Sequence, residues 1–343
     1  MSTRPWGPAR GKASDPATRD RRGERVASID AIRGVAVLLM AMGNLGLGAG
    51  WEPSWLKHTP DVGLTIADLV APLFIVVSGS AVTRGLERRR AREGTPAALG
   101  WLARRSLELI AMGAVISAGQ AALKPVPGID MSWGVLQSIG GAGLLLAAVV
   151  LLAPWVRVVV AVLLLAAYQW LLAGPWGAAV LHTVQGGLPG TLAWGALMIL
   201  SSAITQPRRG NPRPLRSSAL LVPGAAAVLV GLALATIVPI SKNRVSPSYV
   251  AICLGISLLG WGITQLWFGR RPESAGWIRR VGRFPLQMYF AQLLLLAPLT
   301  LVADPWWYAA APPWLTVLEA LAMALALIAL AGVLDRRGPV LRL

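Results

Sequence analysis

Residues 133–173 read WGVLQSIGGAGLLLAAVVLLAPWVRVVVAVLLLAAYQWLLA, and this stretch decides the fold class. It holds one charged residue, Arg157, and Pro154 divides it into two apolar segments of about 20 residues each. A helix of about 20 residues crosses the roughly 30 Å of hydrocarbon in a bilayer. The stretch therefore predicts two consecutive membrane-spanning helices.

The whole chain has the same apolar character. Of its 343 residues, 55% are hydrophobic and 14% are charged, and the mean hydropathy is +0.60. No compact water-soluble domain of this size buries so much apolar sequence, which excludes that class of protein. Cys253 is the single cysteine, and His58 and His182 are the two histidines. We therefore expect no disulfide within the chain and no metal site.

Ten segments of this length and composition predict an all-α, polytopic integral membrane protein with about ten transmembrane helices. The predicted helices are 29–49, 65–84, 104–122, 133–153, 155–173, 187–205, 218–240, 249–268, 284–303 and 314–333. They form one transmembrane domain over residues 26–335. A polar, basic tail, 1–25, precedes this domain and is expected to be disordered and cytoplasmic, and a short cytoplasmic tail, 336–343, follows it.

Lysine and arginine residues are distributed unevenly between the two sets of loops, and the net charge is +17. With the N-terminal tail placed in the cytoplasm, 28 of the 32 Lys and Arg residues fall on the cytoplasmic side. The exceptions are Lys57, Lys124, Lys242 and Arg244. This bias predicts that both termini are cytoplasmic in a multi-pass protein of the plasma membrane. Because the membrane explains the basicity, we expect a lipid bilayer and no nucleic acid as partner.

Charged side chains within predicted spans are costly in lipid, so they indicate function or specific pairing. Asp30 and Arg33 stand three residues apart at the cytoplasmic mouth of the first helix, so they can pair on one helix face. Two interpretations stay open. The pair anchors the helix at the interface, or Arg33 helps to bind a phosphorylated donor, since a guanidinium binds phosphate through two hydrogen bonds.

Three residues toward the other side of the membrane are candidates for catalysis. Asn44 is either a helix–helix hydrogen-bonding group or an amide that positions an acyl carbonyl. Asp68 ends the pattern Thr65-Ile-Ala-Asp68, which is typical of a helix N-terminus, so it either caps the helix or orients His58 in the preceding loop. A histidine oriented by a carboxylate is a candidate general base.

Short segments spread over residues 25–335, in a preserved order, together resemble one family. They are Ser28-Ile-Asp-Ala-Ile-Arg-Gly34, Met40-Ala-Met-Gly-Asn44, Lys57-His58, Gly63-Leu-Thr-Ile-Ala-Asp-Leu-Val-Ala-Pro-Leu-Phe74, Gly79-Ser80, Gly134-Val-Leu-Gln137, Pro239-Ile-Ser-Lys-Asn243, Ser246-Pro-Ser-Tyr249, Gly282-Arg283 and Tyr289. The chain resembles the heparan-α-glucosaminide N-acetyltransferase-like membrane proteins, a family of transmembrane acyltransferases.

The resemblance implies transfer of an acetyl or other acyl group from cytoplasmic acyl-CoA to an amino sugar or glycan on the extracytoplasmic side. It implies that His58 is the catalytic histidine, as general base or transient acyl carrier, and that Asn44 is the active-site asparagine. It also implies acetyl-CoA as co-substrate, no metal, and a homodimer. We expect donor binding at the cytoplasmic face by Arg25, Asp30, Arg33, Arg104, Arg105, Gln137 and Arg283.

The sequence departs from the family pattern at two places. Ser138 stands where the family has Arg after Gln137. The loop between Asn44 and His58 is longer than in a lysosomal member of the family, called the lysosomal relative below. Because of the longer loop, we expect the acceptor to differ from that of the lysosomal relative more than the acyl-transfer chemistry does. We expect a cell-envelope amino sugar or lipid-linked glycan as acceptor rather than heparan. Two other functions stay open, which are a sugar or lipid transporter or flippase, and a non-catalytic protein that binds acyl-CoA or lipid.

Overall fold

The computed structural model describes residues 16–46, 49–123, 127–174, 176–206, 217–270, 276–301 and 305–338, without the side chains of 16–27, 269–270 and 299–301. This described part is helical and contains no strand. The helices are α1 (Pro16–Gly46), α2 (Val70–Glu93), α3 (Thr95–Leu123), α4 (Val135–Val149), α5 (Pro154–Ala173), α6 (Trp176–Ala179), α7 (Gly187–Ile204), α8 (Ser218–Ala235), α9 (Pro247–Arg270), α10 (Gly276–Arg283), α11 (Pro285–Leu301), α12 (Trp306–Ala309) and α13 (Pro313–Arg337). Single 3₁₀ turns cover Ala67–Leu69 and Val180–His182.

Eight helices in the described ranges are long and apolar enough to cross a membrane. The two remaining predicted spans coincide with shorter helices, α4 of 15 residues and α11 of 17 residues. Large apolar side chains such as Val115, Leu163 and Leu325 are exposed on outer helix surfaces. A bilayer would cover such surfaces. The prediction of an all-α, polytopic membrane protein is therefore confirmed.

Two helices begin earlier than predicted. Helix α1 begins at Pro16, inside the stretch predicted as a disordered tail, and residues 1–15 of that tail lie outside the described residues. Helix α3 begins at Thr95 rather than near residue 104. Both starts carry a proline in the first turn, a position where its missing N–H costs nothing. Hydropathy locates the apolar span and not the polar helical turns before it.

The helices pack around two apolar clusters that α1 connects. The larger cluster includes Ile32 of α1 with Trp194 of α7 and Trp261 of α9. The smaller cluster joins Val37 of α1 to Met288 of α11 and to α13. Because both clusters hold α1, the polar residues at its two ends have fixed positions relative to the rest of the bundle.

Helix α10 crosses α1 at very close range, and two glycines permit this crossing. A Cβ on Gly282 would collide with the backbone of Asp30, and a Cβ on Gly34 would collide with the backbone of Ile278. Only glycine, which has no Cβ, allows the two backbones to approach so closely. The crossing brings Arg283, at the end of α10, next to Asp30 of α1.

Loops from distant parts of the sequence meet at one end of the bundle. Val62 forms an isolated β-bridge with Ser241, and Asp130 forms one with Thr183. We call this the His58 end. The opposite end, where α1, α10 and α13 meet, is called the Arg33 end.

Candidate active site

His58 and Asp68 form a hydrogen-bonded pair at the His58 end. His58 Nδ1 lies 2.7 Å from Asp68 Oδ1, and the Asp68 side chain is fully buried whereas 30% of the His58 side chain is exposed. A carboxylate can only accept, so Nδ1 carries the hydrogen and donates it to Asp68. In the neutral ring, the lone pair then belongs to Nε2, the nitrogen that is free to accept a proton.

The second oxygen of Asp68 holds the start of the following helical segment. Asp68 Oδ2 accepts hydrogen bonds from the Thr65 backbone N–H at 3.0 Å, the Thr65 hydroxyl at 3.0 Å and the Thr59 hydroxyl at 3.2 Å. The two interpretations of Asp68 from sequence are therefore both correct, because one oxygen caps the helical turn and the other contacts His58. The cap fixes the carboxylate in place, and the carboxylate fixes the ring.

Lys242 is the third member of this cluster and is not among the site residues predicted from sequence. Its Nζ lies 3.1 Å from His58 Nδ1 and 3.8 Å from Asp68 Oδ1, and the residue is buried. Because Nδ1 donates to Asp68, the contact of the ammonium with the ring is electrostatic rather than a second hydrogen bond. Burial lowers the pKa of Lys242, and the negative charge of Asp68 opposes that decrease.

An ion pair joins the His58 loop to the loop that carries Lys242. Arg244 binds Asp61 through two nitrogens, with Nε at 3.0 Å from Oδ1 and Nη2 at 2.8 Å from Oδ2. Ser241 Oγ donates to the same carboxylate at 2.7 Å. The hydrogen bonds from Arg244 lower the pKa of Asp61. Together with the Gly63 N–H to Ile240 carbonyl bond of 2.8 Å, these contacts hold the two loops in register.

Buried aromatic hydroxyls anchor the cluster to the helices beneath it. Tyr249 of α9 donates to the Asp68 backbone carbonyl at 2.6 Å, and Tyr168 of α5 donates to the Arg244 carbonyl at 2.8 Å. Val245, which follows, has a φ of 48°, an unusual conformation for a β-branched residue. The surrounding contacts hold this strained residue in place.

Asn44 lies in the last turn of α1, at the His58 end. Its side chain is partly exposed, and it forms no hydrogen bond with the described part of the chain. An amide without an internal partner can donate to a bound molecule. The structure places Asn44 at the same end as His58 and records no direct contact between them within the described ranges.

The residues expected to bind the donor separate into two groups. At the Arg33 end, Asp30 lies 4.0 Å from Arg33 Nη1 and also 4.0 Å from Arg283 Nε. Arg283 Nη1 also contacts Asp335 Oδ1 at 2.5 Å. Arg105 is close enough to Arg33 for the two charges to interact. These contacts bring Asp30, Arg33, Arg105 and Arg283 together.

Three expected donor residues are not part of that group. Arg104 points outward from α3, with 81% of its side chain exposed, and pairs with Glu108 one turn later at 2.7 Å. Gln137 lies at the opposite, N-terminal end of α4, where it accepts from Gly134 N–H and donates to the Ser117 hydroxyl and the Ser132 carbonyl. These hydrogen bonds use the amide of Gln137 to hold the start of α4 against α3. The Arg25 side chain lies outside the described residues.

The sequence model of the family described as heparan-alpha-glucosaminide N-acetyltransferase, catalytic, matches residues 25–252, about two thirds of the chain. The chain belongs to this N-acetyltransferase family. The matched range contains Asn44, His58, Asp68 and Lys242, whereas Arg283 lies beyond it.

Two curated relatives carry the same name as the family. The heparan-alpha-glucosaminide N-acetyltransferase of Homo sapiens is 35% identical over 130 residues, which cover 34% of this chain and 17% of the relative. The Mus musculus protein of that name is 33% identical over 135 residues, 36% of this chain and 19% of the relative. The similarity to these two acetyltransferases thus covers less than a fifth of the length of either.

A metal site in a protein needs several ligating side chains close together. The described ranges contain no group of three or more His, Cys, Asp and Glu side chains arranged to hold a metal ion. The second histidine, His182, contacts the Gly128 carbonyl through Nδ1 at 3.2 Å and is not part of the His58 cluster.

Proposed function

We propose that the protein is a membrane acetyltransferase that moves the acetyl group of acetyl-CoA to the amine of an amino sugar or glycan. The observation that carries this proposal is the 2.7 Å contact of His58 Nδ1 with buried Asp68, which leaves Nε2 as a base in a partly exposed position. Family membership supports acyl transfer over the transporter and non-catalytic alternatives.

The transfer step balances with His58 as the proton carrier. The neutral acceptor amine attacks the thioester carbonyl, a C–N bond forms, and His58 Nε2 takes a proton from the attacking nitrogen. The C–S bond then breaks, and the protonated ring returns this proton to the leaving thiolate. General acid–base catalysis of this kind contributes about 10²- to 10⁴-fold in rate. The alternative, a transiently acetylated His58, uses the same nitrogen.

Two further side chains assist the reaction in this proposal. The Asn44 amide donates to the oxygen of the tetrahedral intermediate, a role that contributes roughly 10²- to 10³-fold elsewhere. Asp68 and Lys242 act as positioning residues. Asp68 holds the His58 ring in the tautomer whose Nε2 is unprotonated. Lys242 Nζ, which lies 3.8 Å from Asp68 Oδ1, balances the buried negative charge of Asp68.

We propose that the donor enters from the Arg33 end, which is cytoplasmic by the positive-inside rule. The arginines collected around Asp30 fit the phosphate groups of acetyl-CoA, because guanidinium groups bind phosphate through paired hydrogen bonds. Arg33 and Asn44 are eleven residues apart on α1, which corresponds to about 16 Å along the helix axis. An extended donor is therefore required to reach Asn44 from Arg33.

The remaining parts of the proposal concern the cellular setting. The protein is a multi-pass plasma-membrane homodimer with residues 1–25 and 336–343 as cytoplasmic tails and 26–335 as the transmembrane acyltransferase domain. The acceptor is a cell-envelope amino sugar or a lipid-linked glycan at the His58 end. Arg25 and Arg104 contribute charge at the donor entrance, whereas the hydrogen bonds of Gln137 support α3–α4 packing instead.

The test is thiol release from acetyl-CoA by detergent-purified protein, with and without glucosamine. We expect glucosamine to stimulate release in the wild type and not in His58→Ala. His182→Ala is the matched control, because it removes the other histidine at the same end of the bundle. Stimulated release that survives in His58→Ala would overturn the role of His58. A wild type without acetyl-CoA-dependent release would overturn the proposed function.

A further inference from the structure

Glu52 lies in the loop between Asn44 and His58, and its carboxyl group occupies a defined position. A Cβ on Gly46 would lie 2.5 Å from Glu52 Oε1, so the carboxyl group packs directly against the last residue of α1. Gly46 has no Cβ, and this leaves the room that the carboxyl group fills. Glu52 is partly buried there.

The surroundings of Glu52 favour the binding of a positively charged ligand. Glu52 forms no hydrogen bond and no ion pair with the described part of the chain. The C-terminal end of a helix carries partial negative charge, so a cation bound beside Glu52 would be attracted by both the helix end and the carboxylate. Burial raises the pKa of Glu52, and the charges of His58 and Lys57 oppose this rise.

The same carboxyl group is close to the proposed reaction centre. Glu52 precedes His58 by six residues in the same loop and lies within electrostatic range of the His58 ring. Asn44 is two residues before Gly46 on α1, and a Cβ on Gly43 would meet no described atom within 4 Å. Open space therefore lies beside Gly43, about one helical turn from Gly46, the residue that Glu52 contacts.

We propose that Glu52 binds the acceptor as an ammonium ion and makes the site selective for amines over hydroxyls. This inference rests on the proposed acetyl transfer. An amine with a pKa near that of an α-amino group, about 7.7–8.0, is largely protonated at neutral pH and cannot attack until it loses a proton. Glu52 accepts that first proton from the ammonium and becomes a carboxylic acid. The neutral amine then attacks the thioester. His58 takes the second proton from the attacking nitrogen and passes it to the leaving thiolate. Glu52 releases the first proton to water.

The experiment measures KM for glucosamine and KM for acetyl-CoA separately in Glu52→Gln, Glu52→Asp and the wild type. A hydrogen bond between charged groups is lost in Glu52→Gln, so the KM for glucosamine should rise about 10- to 100-fold while the KM for acetyl-CoA stays the same. Glu52→Asp keeps the charge and should recover part of the loss. Asp130→Asn is the control, because it removes a carboxylate in another loop at the same end.

The outcomes separate this inference from the proposed function. An unchanged KM for glucosamine in Glu52→Gln, or equal increases of both KM values, would overturn the role of Glu52 in acceptor binding and leave the acetyl transfer standing. A loss of thermal stability without a change in KM would make Glu52 a structural residue and overturn the inference as well. A wild type that fails to acetylate glucosamine would contradict both proposals.

Discussion

The substitution Asp68→Asn tests the positioning of His58 with the smallest change in shape. Three hydroxyl and backbone donors reach Asp68 Oδ2, and one of them, the Thr65 backbone N–H, can only donate. The asparagine oxygen must therefore stay on that side. Its NH₂ group then faces His58 Nδ1 across 2.7 Å, which makes Nδ1 an acceptor and moves the ring hydrogen to Nε2.

The expected loss follows from that tautomer change. With Nε2 protonated, the neutral ring has no lone pair toward the acceptor, so the general-base contribution of about 10²- to 10⁴-fold disappears from kcat. The corresponding substitution in a serine protease triad lowers kcat by about 10⁴-fold for the same reason. This range corresponds to roughly 3–5 kcal/mol in activation free energy.

The assay is steady-state acetyl transfer to glucosamine at saturating acetyl-CoA, with thermal unfolding in detergent as the check on folding. Asp68→Asn should bind acetyl-CoA as the wild type does and should fold, because the Thr65 and Thr59 bonds keep their acceptor. Its unfolding temperature should be lower than that of the wild type, because the buried ammonium of Lys242 loses the charge that balances it. Asp130→Asn should match the wild type in all three measurements. A folded Asp68→Asn protein with wild-type kcat would refute the reasoning about the tautomer.

Two further predictions concern stability. Burial lowers the pKa of Lys242, so the unfolded chain binds more protons than the folded chain between that lowered value and 10.5. The free energy of unfolding should therefore rise with pH in this window. Thermal unfolding at several pH values should show the rise in the wild type and not in Lys242→Met. Gly282→Ala places a methyl group against the Asp30 backbone, which should cost about 1–3 kcal/mol, and an unfolding temperature equal to that of the wild type would contradict the close α1–α10 crossing.

The helices could be predicted from sequence because each one depends on local composition. The apolar composition of residues 133–173 is enough to predict two membrane-spanning helices, and the structure has α4 and α5 there. The starts of α1 and α3 were missed, because polar helical turns before a span leave no hydropathy signal. The pairing of Arg104 with Glu108 has the spacing of four residues that brings two side chains together on one helix face, so this contact follows from the sequence.

The candidate site could be predicted only where its members are close in sequence. His58 and Asp68 are ten residues apart, and a helix N-terminus signal points to the carboxylate. Lys242 is 184 residues from His58, and nothing in the local pattern indicates that the two meet. Gln137 was grouped with the arginines through the resemblance alone, whereas the structure places its amide at the other end of the bundle.

Acetyl transfer from acetyl-CoA to an amine, catalysed by His58, can be followed directly in the product. Purified protein is incubated with deuterium-labelled acetyl-CoA and glucosamine, and the sugar product is analysed by mass spectrometry. We expect N-acetylglucosamine with the labelled acetyl group from the wild type and from His182→Ala, and none from folded His58→Ala. Labelled product from His58→Ala at the wild-type rate, or none from the wild type, would contradict this expectation.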